Sequence, residues 1–66
     1  MNDDFKVIIR EDIEREEYIV EYDDLPIEIY SNKSFVECIK FLYARFSVIK
    51  REWQGFRGEY ICENEK

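Results

Sequence analysis

Residues 34–53, SFVECIKFLYARFSVIKREW, form the longest periodic segment of the chain, and the prediction of the fold starts from them. At about 100° per residue, apolar side chains recur on one arc of this segment, as they do on the buried face of an amphipathic helix. The arc is flanked by Cys38 and Tyr43. Its members are Phe35, Ile39, Leu42, Phe46, Ile49 and Trp53.

Both ends of this segment carry helix-boundary signals. Ser34 is followed three residues later by Glu37, which is the spacing of a capping box at a helix N-terminus. Gly55 stands just beyond the last periodic residue, where glycine often terminates a helix. The sequence therefore predicts a single long helix over 34–53.

Four other segments have the alternation or the β-branched content of short strands. In the first, Phe5, Val7 and Ile9 share one side, and in the second, Tyr18 and Val20 oppose the charged residues. The four predicted strands are 5–10, 17–23, 27–30 and 59–63. We expect an α+β fold with the order β-β-β-α-β, in which a small antiparallel sheet packs on one face of the helix.

A helical interpretation of the N-terminal third competes with this one. Phe5, Ile9, Ile13 and Val20 also recur at helical spacings, and the segment between them is rich in good helix formers. The β-branched runs favour strands instead. Either way we expect one small domain over 1–66, with polar tails at 1–4 and 63–66.

Composition sets further limits on the class of protein. Eleven aromatic residues among 66 make a compact core feasible without a metal or a disulfide. No apolar run approaches the about 18 to 20 residues of a membrane span, and the first residues are acidic where a signal peptide would be basic. We therefore expect a cytoplasmic protein that does not bind membranes.

In a reducing compartment, Cys38 and Cys62 are expected to be small buried hydrophobic residues, and a bridge between them is the alternative.

Catalytic and cofactor chemistry finds little support in the sequence. The chain contains no His, which excludes His-based acid-base catalysis and a His-containing zinc site. It has no glycine-rich phosphate loop, no dinucleotide motif and no calcium-binding loop. We expect a protein without enzymatic activity, cofactor or metal.

Charge is distributed very unevenly along the chain. Residues 1–32 hold eleven acidic and three basic residues, a net −8, and residues 33–66 hold five acidic and seven basic residues, a net +2. Glu17, Glu21 and Asp23 share one face of the predicted second strand. Same-face neighbours on a strand are about 6.7 Å apart, so these carboxylates would form a row without internal counter-charge. Such a row can imitate a nucleic-acid backbone and occupy a basic groove of a partner. The expected partner-binding residues are Glu11, Asp12, Glu14, Glu16, Glu17, Glu21, Asp23 and Asp24, with Glu28 as a further candidate.

The alternative role of these acidic residues is to keep an exposed sheet edge solvated and to prevent aggregation. If the row is functional, the chain has the physical character of a phage or mobile-element inhibitor, of the anti-CRISPR or anti-restriction type, that blocks a nucleic-acid-binding host protein. The expected partner is thus a protein with a basic surface.

A second hypothesis concerns the other side of the predicted helix. Phe41, Ala44 and Val48 fall away from the core arc and would form an exposed ridge. Such a ridge suggests a homodimer or an accessory subunit that assembles through its helix, unless another part of the chain covers it.

Direct binding to nucleic acid is the third hypothesis. Lys50 and Arg57 cluster with Trp53 and Phe56 at the C-terminus of the predicted helix, which weakly resembles the pattern of a nucleic-acid surface. A separate basic arc of the helix consists of Lys33, Lys40 and Arg51. The acidic half would repel phosphates, so no direct contact with nucleic acid is expected.

Overall fold

The computed structural model describes residues 4–55 and 57–63, and in this part of the chain it shows five strands and one helix. The α+β class is confirmed, but there is one strand more than predicted, and the helix is shorter. The elements are β1 (Phe5–Asp12), β2 (Glu17–Tyr22), β3 (Glu28–Asn32), α1 (Phe35–Arg45), β4 (Ser47–Gln54) and β5 (Arg57–Glu63).

The strands form one antiparallel sheet in the order β3-β2-β1-β5-β4. The central strand β1 pairs with β2 on one side and with β5 on the other, which leaves β3 and β4 as the two edges. The segments predicted as the first two strands are strands, so the helical alternative for the N-terminal third is wrong.

The core lies between α1 and one face of the sheet. The alternation predicted for the first two strands is confirmed, because Val7, Ile9 and Val20 all lie in this core. The helix contributes side chains one turn apart, as amphipathic spacing requires. The buried cluster comprises Val7, Ile9, Val20, Cys38, Leu42, Phe46, Tyr60 and Cys62.

The helix begins where it was predicted and ends much earlier. The Ser34 hydroxyl accepts a hydrogen bond from the Glu37 backbone N–H at 3.4 Å, which confirms the predicted N-terminal cap. The helix ends at Arg45, and Phe46 is already extended with φ −125° and ψ 159°. The prediction of one helix over 34–53 is therefore wrong in its second half, which is β4.

A hairpin explains this early end. Gly55 has φ +61° and lies in the short reversal between Gln54 and Arg57, which pair with each other, so it serves a strand turn rather than a helix end. Val48 and Ile49 are β-branched and favour a strand. Ile49 and Trp53 leave the predicted core arc and are both 52% exposed.

The predicted ridge of Phe41, Ala44 and Val48 does not exist as a helical stripe. Val48 belongs to β4, where it is half-buried against the core. Phe41 is half-buried because Tyr30 of β3 stacks on it, with ring centroids 4.4 Å apart and planes 4° apart. Ala44 alone of the three is exposed.

Cys38 and Cys62 are both buried free thiols in the core, as preferred from the sequence. Burial raises the pKa of the Cys38 thiol and raises that of Cys62 to about 11.

None of the described residues form a helix that is long and apolar enough to cross a membrane.

Candidate protein-binding surface

The sheet face that α1 does not cover is built from charged side chains over a small apolar patch. Ile8 and Ile19 point to this face and are only 4% and 1% exposed, although they lie outside the cluster beneath the helix. Because the flanking positions carry Lys, Arg and Glu, the aliphatic parts of these long side chains can cover the isoleucines.

Four carboxylates cross this open face from strand to strand. The register places Glu21 beside Glu28, and Glu59 beside Glu52, with Ile8 of β1 between the two pairs. The row therefore runs perpendicular to the strands, and only Glu21 belongs to the row that was predicted along β2.

Each member of this transverse row has a basic partner. Arg10 Nε donates to Glu21 at 3.0 Å, and Arg15 Nη1 donates to Glu28 at 2.9 Å. Lys6 lies 3.3 Å from Glu59, and Lys50 lies 3.0 Å from Glu52. The hydrogen bond from Arg15 lowers the pKa of Glu28, and that from Lys50 lowers the pKa of Glu52.

The predicted row along β2 is neutralised in the same way. Arg15 contacts Glu17 at 2.6 Å, and Arg57 forms an ion pair with Asp23. Asp12 of β1, which is outside this row but among the predicted partner-binding residues, accepts a hydrogen bond from the Arg15 backbone N–H at 3.1 Å and lies 4.0 Å from Arg10. The expectation that this row lacks internal counter-charge is therefore wrong. Folding brings basic residues of both halves onto it.

The remaining predicted acidic residues stand apart from this network. Glu11, Glu14 and Glu16 form no ion pair with any residue that the structure describes. They surround the turn between β1 and β2, where Ile13 is 78% exposed and Glu16 has φ +56°. Asp24 is exposed and likewise unpaired among the described residues, in the loop after β2.

This β1–β2 turn shares one end of the molecule with two other connections. Arg10 pairs with Arg57, which brings the β4–β5 turn at Gly55 to the same end. Tyr18 pairs with Asn32, which brings the start of α1 there too. We call this the turn end.

A pocket of about 260 Å³ opens at the turn end on the side of the sheet that carries the helix. Phe35 is its central ring, 5.3 Å from Tyr18 and 5.1 Å from Trp53, with the planes inclined by 64° and 45°. Because the rings are inclined to one another, they form a concave wall rather than a flat stack. The pocket is lined by Glu11, Tyr18, Phe35, Trp53 and Gly55.

Sequence reasoning missed this pocket because it placed Trp53 on a long helix. The available signal was the hairpin: Trp53 lies two residues before Gly55, and Gly58 follows shortly after the turn. The register pairs Trp53 with Gly58, so a large ring faces a strand position without a side chain.

The predicted cluster of Lys50, Arg57 and Trp53 is not brought together, because Trp53 lies on the helix side of the sheet beside Phe35. Lys50 and Arg57 point to the open face and pair with acidic residues there. Lys40 pairs with Glu37 on α1 at 3.6 Å, and Lys33 and Arg51 are exposed on other parts of the surface. Phe56 lies outside the described residues.

Among residues 4–55 and 57–63, no group of three or more His, Cys, Asp or Glu side chains is placed to hold a metal ion. Comparison of the chain with models of known protein families, with curated proteins and with solved structures found no match.

Proposed function

We propose that this protein is a non-catalytic module that binds a partner protein through the turn end. The observation that carries the proposal is that carboxylates without an ion pair to any described residue lie beside an aromatic pocket, which distinguishes them from the unpaired Asp4, Asp24 and Glu63 at the opposite end. Glu11, Glu14 and Glu16 gather around one turn, next to an aromatic pocket, while the carboxylates of the open sheet face have basic partners.

The complementary surface is a basic one. The carboxylates can attract a basic partner over a long range, and exposed apolar groups such as Ile13 and Trp53 can be buried on contact with it. Protein interfaces commonly combine these two contributions. Grooves that hold nucleic-acid phosphates are basic for the same electrostatic reason. We therefore keep a nucleic-acid-binding host protein as the proposed partner, and inhibition of the anti-CRISPR or anti-restriction type as the proposed activity.

The test is a pull-down from a bacterial lysate with the full chain as bait, washed at low and high salt. A partner held by the turn end should elute as salt rises, because screening shortens from about 10 Å at 0.1 M to about 3 Å at 1 M. Added duplex DNA should release the same partner. The double variant Glu14→Gln with Glu16→Gln should recover much less of it.

A charge-matched control distinguishes binding at the turn end from an effect of the overall negative charge of the protein. Asp4→Asn with Asp24→Asn removes two exposed carboxylates at the opposite end and changes the net charge equally. The control should recover as much partner as the wild type. Equal loss in both double variants, or retention by both, would contradict the proposed surface.

The second candidate function, a homodimeric accessory protein, is favoured by the β4 edge rather than by Phe41. β4 is an edge strand of eight residues, exposed from Ile49 to Gln54. Long exposed edges are places where another strand can pair. Antiparallel pairing of two copies about Arg51 would place Lys50 opposite Glu52, which is electrostatically favourable.

Light scattering at tens of micromolar tests this second candidate. A dimer that Ile49→Lys dissociates and Val36→Lys preserves would support it, because Val36 is similarly exposed but lies on α1. A monomeric wild type over that range would rule it out.

A further inference from the structure

The turn-end pocket joins three aromatic rings to one carboxylate. Glu11 pairs with Tyr18 across the β1–β2 ladder, so its side chain shares the pocket side of the sheet with the Tyr18 ring. Phe35 and Trp53 complete the aromatic wall. Among the residues that the structure describes, none that lines the pocket is basic.

This combination is chemically selective for a cation. The faces of aromatic rings attract cations, most strongly at Trp, and a carboxylate adds a charged hydrogen-bond acceptor. Glu11 is exposed and forms no ion pair with the described residues, so no described basic group has to be displaced from it. A neutral apolar guest would leave this carboxylate without a partner.

The size of the pocket restricts the guest further. At about 260 Å³ it lies below the range of about 300 to 1,000 Å³ that small-molecule sites usually occupy. A single long side chain matches it better than a cofactor or a metabolite. A guanidinium is planar, stacks on aromatic rings and donates two parallel hydrogen bonds to a carboxylate, whereas an ammonium is a strongly hydrated point charge.

We propose that the turn-end pocket binds one arginine side chain of the partner protein, which stacks on Trp53 and pairs with Glu11. This inference rests on the proposed function and adds the identity of the anchoring residue. Arginine is among the residues that most often dominate interface energetics when inserted into a pocket. The half-exposed Trp53 supplies an open ring for it.

The test uses the full chain and acetyl-Gly-Arg-Gly-amide as the probe. Trp53 is the only tryptophan, so its fluorescence reports on the pocket directly. The arginine peptide should cause a saturable change with a Kd of about 1 mM, the affinity expected when only one side chain is anchored. Amide NMR shifts should map to Glu11 and Gly55.

Two control peptides define the specificity. The citrulline analogue has nearly the same shape without the charge, and it should bind at least about fivefold more weakly. The lysine analogue should also bind more weakly. Equal binding of citrulline would overturn the cation site, and equal binding of lysine would overturn the assignment to arginine.

Variants test the two recognition elements separately. Glu11→Gln should weaken the binding of the arginine peptide by about fivefold and reduce its salt dependence, whereas Asp24→Asn at the opposite end of the molecule should leave the Kd unchanged. Trp53→Leu, followed through the NMR shift of Gly55, should abolish saturable binding while the circular dichroism spectrum stays that of the folded chain. Unchanged affinity in Glu11→Gln or in Trp53→Leu would overturn the proposal.

The lysate experiment distinguishes this inference from the proposed function. If the wild type and Trp53→Leu capture the same partner equally, the arginine site is wrong and the turn-end surface still stands. If the arginine peptide binds as expected but the Glu14 and Glu16 double variant captures the partner normally, the pocket is supported and the proposed surface fails.

Discussion

Trp53 and Gly58 face each other across the β4–β5 ladder, and the Trp53 indole lies where a side chain at Gly58 would be. A Cβ at Gly58 would meet two indole carbons at 3.0 Å and the Tyr60 ring at 3.2 Å. The glycine thus lets the indole lie against the backbone of β5, and this position carries Trp53 to the pocket wall beside Phe35.

Gly58→Ala should therefore destabilise the protein and displace Trp53. The half-exposed indole can move, but Tyr60 is 1% exposed and packed on all sides, so we expect a loss of about 1 to 3 kcal/mol. Urea unfolding measures the loss, and tryptophan fluorescence reports the displacement. Combining the change with Trp53→Ala should recover part of the stability, because the indole no longer competes for the space; strictly additive losses would contradict the steric explanation.

The ion pairs of the open face should make Glu21 more important for stability than an unpaired carboxylate. The side chain of Glu21 is 19% exposed, and Arg10 contacts it at 3.0 Å, so Glu21→Lys places two cations together. We expect a loss of about 1 to 2 kcal/mol. Glu14→Lys, on the exposed turn, should stay within about 0.5 kcal/mol of the wild type. Equal thermal unfolding midpoints for the two variants would argue against the network.

The stack of Phe41 on Tyr30 should couple α1 to the edge strand β3. Phe41→Ala should cost about 2 kcal/mol, less than for a fully buried ring, because Phe41 is only half-buried. A double-mutant cycle with Tyr30→Ala should give a coupling of about 0.5 to 1.5 kcal/mol. Val36→Ala on the same helix, at a 59% exposed position, is the control and should have little effect. No measurable coupling in chemical denaturation would mean that the stack does not stabilise the fold.

Alkaline pH should destabilise the protein because it deprotonates a buried thiol and a buried phenol. Burial raises the pKa of Cys62 to about 11 from its ordinary 9.0, and that of Tyr60 to about 12 from 10.0. Above pH 9 the unfolded chain therefore loses protons first, and the free energy of unfolding should fall as pH rises through the Cys62 range and then the Tyr60 range.

Urea unfolding at several pH values between 8 and 11 tests this dependence. Cys62→Ala should start from lower stability but show a shallower decline over the same interval, because one of the titrating groups is gone. The native chain should also react slowly with thiol reagents, since both thiols are buried. A pH slope that Cys62→Ala leaves unchanged would contradict the assignment to this thiol.

The sequence by itself determined the class of fold and the core positions of the first two strands. Alternation placed Val7, Ile9 and Val20 on one face, and those three are buried together. The Ser34 cap and the first turns of the helix could also be predicted. These features depend on the spacing of apolar residues and on local hydrogen bonds, and both are determined by residues close together in the sequence.

The end of the helix was decided only by tertiary structure. Phe46, Ile49 and Trp53 continue the helical spacing of Phe35 and Leu42, so periodicity alone could not detect the change to a strand. Across the Gly55 turn, β5 pairs with every residue of 47–54 except Ile49, where the register shifts, and this pairing outweighs the local helix preference.

The charge of the candidate site was likewise decided by the fold. Counting charges along the chain predicted an uncompensated row on β2, but Arg10, Arg15 and Arg57 reach that row from a neighbouring strand, a turn and β5. Among the described carboxylates without an ion pair, Glu11, Glu14 and Glu16 lie at the turn end beside the aromatic pocket, and Asp4, Asp24 and Glu63 lie at the opposite end. Electrostatic interactions depend on distance in space, and antiparallel pairing brings together charges that are far apart in sequence.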